Sequence, residues 1–309
     1  MDISKINKIM KKRLNEGFFE NIQEEEEFDI KSKLTNLLKS GTIDNIELAF
    51  MVAQGQDFDI DALAEELFDL NFWIDNLKRI PQTSKSEALS FLLAQTAIDL
   101  SNKGLPALPE SIGNLHSLQW LDLFDNNLSS LPESFGNLQN LEELNLSTNN
   151  LSNLPESICN LHHLKKLDLS GNNLSSLPES FGNLQKLEEL TLGYNSLSHL
   201  PESIGNLQNL KSLNLNHNSL SHLPESIGNL QNLKELFLYK NKINSLPESI
   251  GNLQNLKRLH LFDNNLSSLP ESISNLHNLE RLSLQDNPIP LSEQRRIKSI
   301  IPNCYVQFK

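Results

Sequence analysis

The triplet Leu-Pro-Glu begins at Leu108 and returns at Leu131, Leu154, Leu177, Leu200, Leu223, Leu246 and Leu269, always 23 residues on. A fixed period of this size leaves few folds open. Each unit is too short to bury its own apolar face, so units must stack on their neighbours and build a solenoid. Ordering each residue costs about 1–2 kcal/mol of backbone entropy, so one unit with a handful of leucines is not expected to fold alone.

The unit from Leu131 to Leu154 shows the local logic. Its apolar positions are Leu131, Phe135, Leu138, Leu141, Leu144, Leu146 and Leu151, with mostly polar residues between them. Leu144-Asn145-Leu146 alternates as a short half-buried strand does. Pro132 suits the first position of a helical turn, where its missing N–H costs nothing. Gly136 and its counterparts are expected to end that turn in a left-handed conformation. Cys159 and Ser274 stand where this glycine belongs. Either their backbone differs or the position does not need a positive φ. Asn126 and its successors every 23 residues to Asn287 lie among the inward leucines. A buried amide must be hydrogen-bonded, so a ladder to the backbone of the bend and the next coil is expected, with a structural role.

The segment Leu141-Glu142-Glu143-Leu144-Asn145-Leu146-Ser147-Thr148-Asn149-Asn150-Leu151 resembles the core pattern of the leucine-rich repeat family, and the Leu-Pro-Glu-Ser-Ile-Gly-Asn-Leu half is similar to its bacterial 23-residue type. The resemblance covers about residues 96–290. It implies an α/β solenoid, a horseshoe with a parallel β-sheet on its concave face. It also implies that this face holds a partner protein. Resemblance to repeat proteins that pathogens deliver into host cells adds a bacterial effector role and a host-cytosol location to the expectation.

Three parts are therefore expected: an α-helical domain or cap over 1–95, about nine coils over 96–290, and a helix–strand cap over 291–309. Helical periodicity marks Ile3–Leu14, Phe28–Leu38, Ile43–Ala53 and Ile60–Leu77, and Ser84-x-x-Glu87 opens one more helix as a capping box. The run Glu24–Glu27 reads as a solvated face. In the last cap Ser292, Glu293, Arg295 and Arg296 are expected outward, with Ile297, Ile300 and Ile301 inward.

Composition narrows the partners. The chain carries 26 Lys and Arg against 39 Asp and Glu, a formal charge of −13, with no basic stripe for a phosphate backbone. Nucleic acid and membrane insertion are not expected. The start Met1-Asp2-Ile3-Ser4-Lys5 lacks a secretory core, and two cysteines in different repeats give no disulfide framework, so a cytoplasmic location and a monomer are expected. Cofactor, metal and catalytic residues are expected to be none. His199 and His222 share a column near His217 and read as solvated loop histidines. No phosphate loop or G-x-S-x-G is present, and the chain ends after its cap without a ubiquitin-ligase segment.

In a repeat array the scaffold repeats and the partner site varies. Phe237, Tyr239, His260 and Phe262 fall on adjacent strands beside Arg258 and Arg281, while Trp120 and Phe124 form a smaller aromatic pair next to Asp122. Exposed aromatics with arginine have the composition of interaction hot spots. These nine residues are the candidate partner-binding set, and the protein is expected to be a non-enzymatic interaction module. The alternative is an adaptor whose helical domain recruits an enzyme such as ubiquitin machinery.

Overall fold

A computed structural model describes residues 27–39, 45, 48–50, 52–53, 59–77 and 85–308. They form two compact units: the helices up to Thr96 together with Pro109–Leu118, and Ala97–Leu108 with Gln119 onwards.

The first unit holds helices α1 (Glu27–Lys39), α2 (Ile60–Phe68), α3 (Leu70–Asn76) and α4 (Lys85–Leu93). Residues 45, 48–50 and 52–53 are helical too, whereas the helix expected over Ile3–Leu14, Glu24–Glu26 and Ser84 lie outside the described residues. The expected single helix Ile60–Leu77 is broken. Asp69 takes the left-handed conformation (φ 45°, ψ 48°), its N–H bonds to Glu65 O, and the helix restarts at Leu70. The break lets Phe68 and Trp73 both be fully buried. The Trp73 indole N–H donates to the buried Ser111 hydroxyl at 3.3 Å, and the Asn114 amide donates to Leu67 O at 3.3 Å. The segment around Ile112 thus belongs to the helical core.

The second unit is a stack of coils. Strands β1 (Ala97–Asp99), β2 (Trp120–Asp122), β3 (Glu143–Asn145), β4 (Lys166–Asp168), β5 (Glu189–Thr191), β6 (Ser212–Asn214), β7 (Glu235–Phe237), β8 (Arg258–His260) and β9 (Arg281–Ser283) pair in chain order. Helix α5 (Leu291–Ile300) leads to β10 (Tyr305–Gln307), which closes the sheet against β9. Every pair is parallel, and from β1 to β9 the register is one repeat of 23, as in Trp120↔Glu143, while β10 is offset by 24 as in Tyr305↔Arg281. The seven apolar residues of Leu131–Leu154 are all buried.

The asparagine ladder is present, but it reaches back rather than forward. Asn172 Nδ2 donates to Leu169 O in its own coil and to Leu146 O in the preceding one, both at 3.0 Å, while its Oδ1 accepts from Leu151 N at 3.0 Å. A second ladder was not foreseen. The side chains of Asn209, Asn232, Asn255 and Asn278 each donate to the backbone carbonyl of a glutamine in the preceding coil, at 2.7–2.8 Å.

The glycine expectation fails. Gly136 and its counterparts keep negative φ, and the left-handed residue sits elsewhere, just before each ladder asparagine: Asp125, Thr148, Gly171, Tyr194, His217, Lys240, Asp263 and Asp286. Glycine is needed in the short 3-10 turn because the next coil is too close. A Cβ at Gly205 would lie 2.4 Å from Ser226 O. Where Cys159 replaces this glycine, its thiol meets the Ser180 hydroxyl. The next turn is then shortened to Phe181–Asn183, whereas its neighbours span five residues.

The C-terminal cap also departs in detail. Glu293 and Arg296, expected outward, are turned onto the last coil: Glu293 Oε1 accepts from Leu269 N at 3.1 Å, and Arg296 donates to Leu269 O. They satisfy the backbone N–H and carbonyl of Leu269 at the end of the array.

Candidate functional site

The exposed face of the sheet is built from the outward positions of each strand, and parallel in-register pairing sets their spacing. Neighbouring strands lie about 4.8 Å apart, so like positions in successive coils face each other at stacking distance. Phe237 pairs with His260, and their rings stack at 5.0 Å and 6°. Tyr239 and Phe262, two residues further along, stack at 4.4 Å and 9°.

Two residues outside the predicted set extend this cluster. The Tyr194 and His217 rings stack at 4.0 Å and 15°, and His217 meets Tyr239 edge-on at 5.7 Å. Four rings from four coils, Tyr194, His217, Tyr239 and Phe262, therefore run in one line, with the Phe237–His260 pair beside it. Tyr194 is 57% exposed and the other five rings are half-buried. His217 is not a loop histidine in solvent but a ring between two tyrosines. Sequence reasoning stopped one position short, because Tyr194 and His217 occupy the left-handed bend after the strand. A fourth column, one residue beyond the third, would have found them.

Polar contacts hold the cluster in place. His260 Nδ1 lies 3.1 Å from Ser283 Oγ, and the Asn216 amide donates to the Tyr239 hydroxyl. Asn216 is itself buried against Gly193, where a Cβ would collide with its side chain. Burial lowers the pKa of His260, helped by Arg281 and Arg258, and burial also lowers that of His217, with Lys240 adding to it. Both rings therefore favour the neutral form. Arg258 is paired with Glu235, and the Arg281 guanidinium sits 5.8 Å from the centre of the Tyr305 ring.

The other half of the face differs. Trp120 and Phe124 are 36% and 37% exposed and stand four residues apart on one coil. Trp120 instead borders an open trough of about 290 Å³ across β2–β5, lined by Asp122, Glu143, Lys166, Asp168, Glu189 and Thr191. Lys166 is paired with Glu143 at 3.2 Å. Asp122 has a local duty as well: its Oδ1 accepts from Phe124 N at 2.8 Å and closes the turn that ends β2. Asn145 and Asp168 do the same for Ser147 and Ser170.

Chemistry outside this face is sparse. Among the described residues no cluster of three His, Cys, Asp or Glu could hold a metal, and no helix is long and apolar enough to cross a membrane. His199 and His222 bond to their own neighbours, Ser198 and Ser221, at 3.0 and 2.9 Å. Cys159 is buried, and burial pushes the Cys304 thiol up to about 11, so neither is a reactive thiolate.

Comparison with known proteins agrees with this geometry. A family profile described as a leucine-rich repeat region matches residues 142–215 and 195–297, and one for two leucine-rich repeat copies matches 116–159. No curated protein matches the chain. Among solved structures, the leucine-rich repeat domain of the type III effector XopL is 29% identical with a TM-score of 0.60, over 77% of this chain and 87% of that one. The PEPR1–AtPEP1 complex is 31% identical with a TM-score of 0.54, over 68% of this chain and 33% of that chain. The plant peptide hormone receptor RGFR1, in complex with RGF2, is 34% identical with a TM-score of 0.51. The chain covers 34% of that receptor's length.

Proposed function

The chain belongs to the leucine-rich repeat proteins, and from that premise we propose that it is a non-enzymatic module that captures a partner protein on the exposed face of its sheet. The observation that carries this reading is the line of rings from Tyr194 to Phe262 with the Phe237–His260 pair beside it. An array needs none of these rings for stacking, since the leucines of each coil already fill its core. Half-buried aromatics flanked by arginine supply large contact area at low entropic cost. A structural neighbour, a plant peptide hormone receptor solved in complex with RGF2, supports a protein ligand.

Similarity to a type III effector domain supports an effector role in a host cytosol for this chain as well. The helical unit has a core of its own around Phe68 and Trp73, which suits an adaptor with a second partner. Site-specific photo-crosslinking tests the main reading. A benzophenone amino acid at Phe262 is expected to trap a discrete partner from lysate, and one at the exposed Ser130, in a loop outside the sheet, is not. Equal labelling from both positions would contradict it.

A further inference from the structure

The exposed face is electrically polarised, and the polarity says what kind of segment fits it. Over β2–β5 the outward strand positions carry Asp122, Glu143, Asp168 and Glu189 against Lys166 alone. Over β6–β9 they carry Arg258 and Arg281 against Glu235, together with the stacked rings, and the bend column that holds Tyr194 and His217 adds Lys240, Asp263 and Asp286. In a chain of net charge −13, one half of the face is thus strongly acidic, and the other is aromatic with its charges in balance and Arg281 left over on the strands.

We propose that the occupant is an extended peptide segment with a basic end over β2–β5 and an aromatic, acidic end over β6–β9. This rests on the protein-binding reading above and adds composition, length and orientation to it. Seven inter-strand steps of about 4.8 Å separate β2 from β9, or about 34 Å, which an extended chain crosses in about ten residues. At the acidic end, the trough of about 290 Å³ is bordered by the exposed Trp120 ring, which stands in register with Glu143. A lysine or arginine stem laid against that ring would place its charge among the carboxylates. At the other end the edges of the stacked rings receive an aromatic or apolar side chain. Among the described residues no carboxylate lies within ion-pair distance of Arg281, so it is open to an acidic group from the ligand. Charge complementarity of this kind fixes orientation and speeds association.

The test is to pan a random twelve-residue peptide display library on the full chain and measure the selected peptides by fluorescence anisotropy. Winners are expected to carry Lys or Arg in one third and an aromatic with Asp or Glu in the other. Asp122→Asn with Asp168→Asn removes two charges but keeps the Oδ1 acceptor that each turn needs, as Asn145 shows at the equivalent position. That variant is expected to bind winners at least about tenfold more weakly, since opposed charges in a partly desolvated face are worth at least that. Winners without charge asymmetry, or unaffected by the two asparagines yet lost with Phe237→Ala and Phe262→Ala, would overturn the polarity and leave the protein-binding reading standing. Winners indifferent to both double variants, or no winners at all, would overturn both.

Discussion

Replacing Gly205 with alanine probes the contact on which coil stacking depends. The added methyl would sit 2.4 Å from Ser226 O, 2.7 Å from Ser226 Cβ and 3.0 Å from Ser226 C. The first distance is about 1 Å short of ordinary contact, and its partner is backbone, which no rotamer change can move. The coils must part or the turn Glu225–Asn229 must unwind. Overpacking of this kind costs about 1–3 kcal/mol, which for an array of this size lowers the melting temperature by about 4–8 °C at the middle of that range. The chain shows the second outcome at Cys159, where the following turn is shortened. Urea denaturation followed by circular dichroism measures the cost, and amide exchange at Ile227 and Gly228 locates it. Trimming the neighbour in Gly205→Ala/Ser226→Gly is expected to recover little, because the closest clash is with a carbonyl. A loss below about 0.3 kcal/mol, or full rescue by Ser226→Gly, would refute the close-contact explanation.

Other consequences follow from the same geometry. Asn172→Ala orphans the buried Leu151 N–H, whereas Leu146 O keeps the Asn149 amide and Leu169 O keeps the Asn195 amide. A cost of about 2 kcal/mol is expected by urea titration for that one unsatisfied donor, and less than about 0.5 would remove the ladder from the account. Thr148 is β-branched yet left-handed (φ 56°), so Thr148→Asn is expected to stabilise by about 0.5–1 kcal/mol, read as a higher urea midpoint. A loss of stability would show that Thr148 is not strained. His217 and His260 have folded pKa values below the ordinary 6.5. The unfolded chain therefore binds their protons first, and stability is expected to fall as pH drops through about 6.5 and to stop falling from this source below the folded values. Comparing the parent with His217→Asn/His260→Gln from pH 7.5 to 5 should show the smaller decline in the variant, and parallel curves would exclude the histidines.

The array could be read from the chain because leucine spacing and the asparagine column report burial directly. The Phe237, Tyr239, His260 and Phe262 positions could be placed on one face for the same reason. The parts that escaped have physical causes. The left-handed position holds Asp, Thr, Gly, Tyr, His and Lys in different coils, so residue type carries no signal there. The stacked coil imposes that conformation instead, and Asn102 adopts it too although Lys103 follows in place of the ladder asparagine. Tyr194 and His217 were missed with it, although their side chains return to the face. Glycine in the short turn was misread as conformational because its true constraint, the next coil's carbonyl, is a tertiary contact. The break at Asp69 was invisible because periodicity continues across it while Phe68 and Trp73 both turn inward.

The central claim is that the stacked rings bind and do not merely decorate the array. Calorimetric titration of the captured partner into the parent protein and into Phe237→Ala/Phe262→Ala, with melting temperatures of both, tests it most directly. Stacked pairs and their buried area are each worth about 1–2 kcal/mol at an interface, so at least a tenfold weaker dissociation constant is expected. Along β7 and β8 the buried leucines alternate with the ring positions, and the melting temperature is expected to move by only a few degrees. Unchanged affinity in a folded variant, or an array that unfolds when the two rings are removed, would contradict the claim.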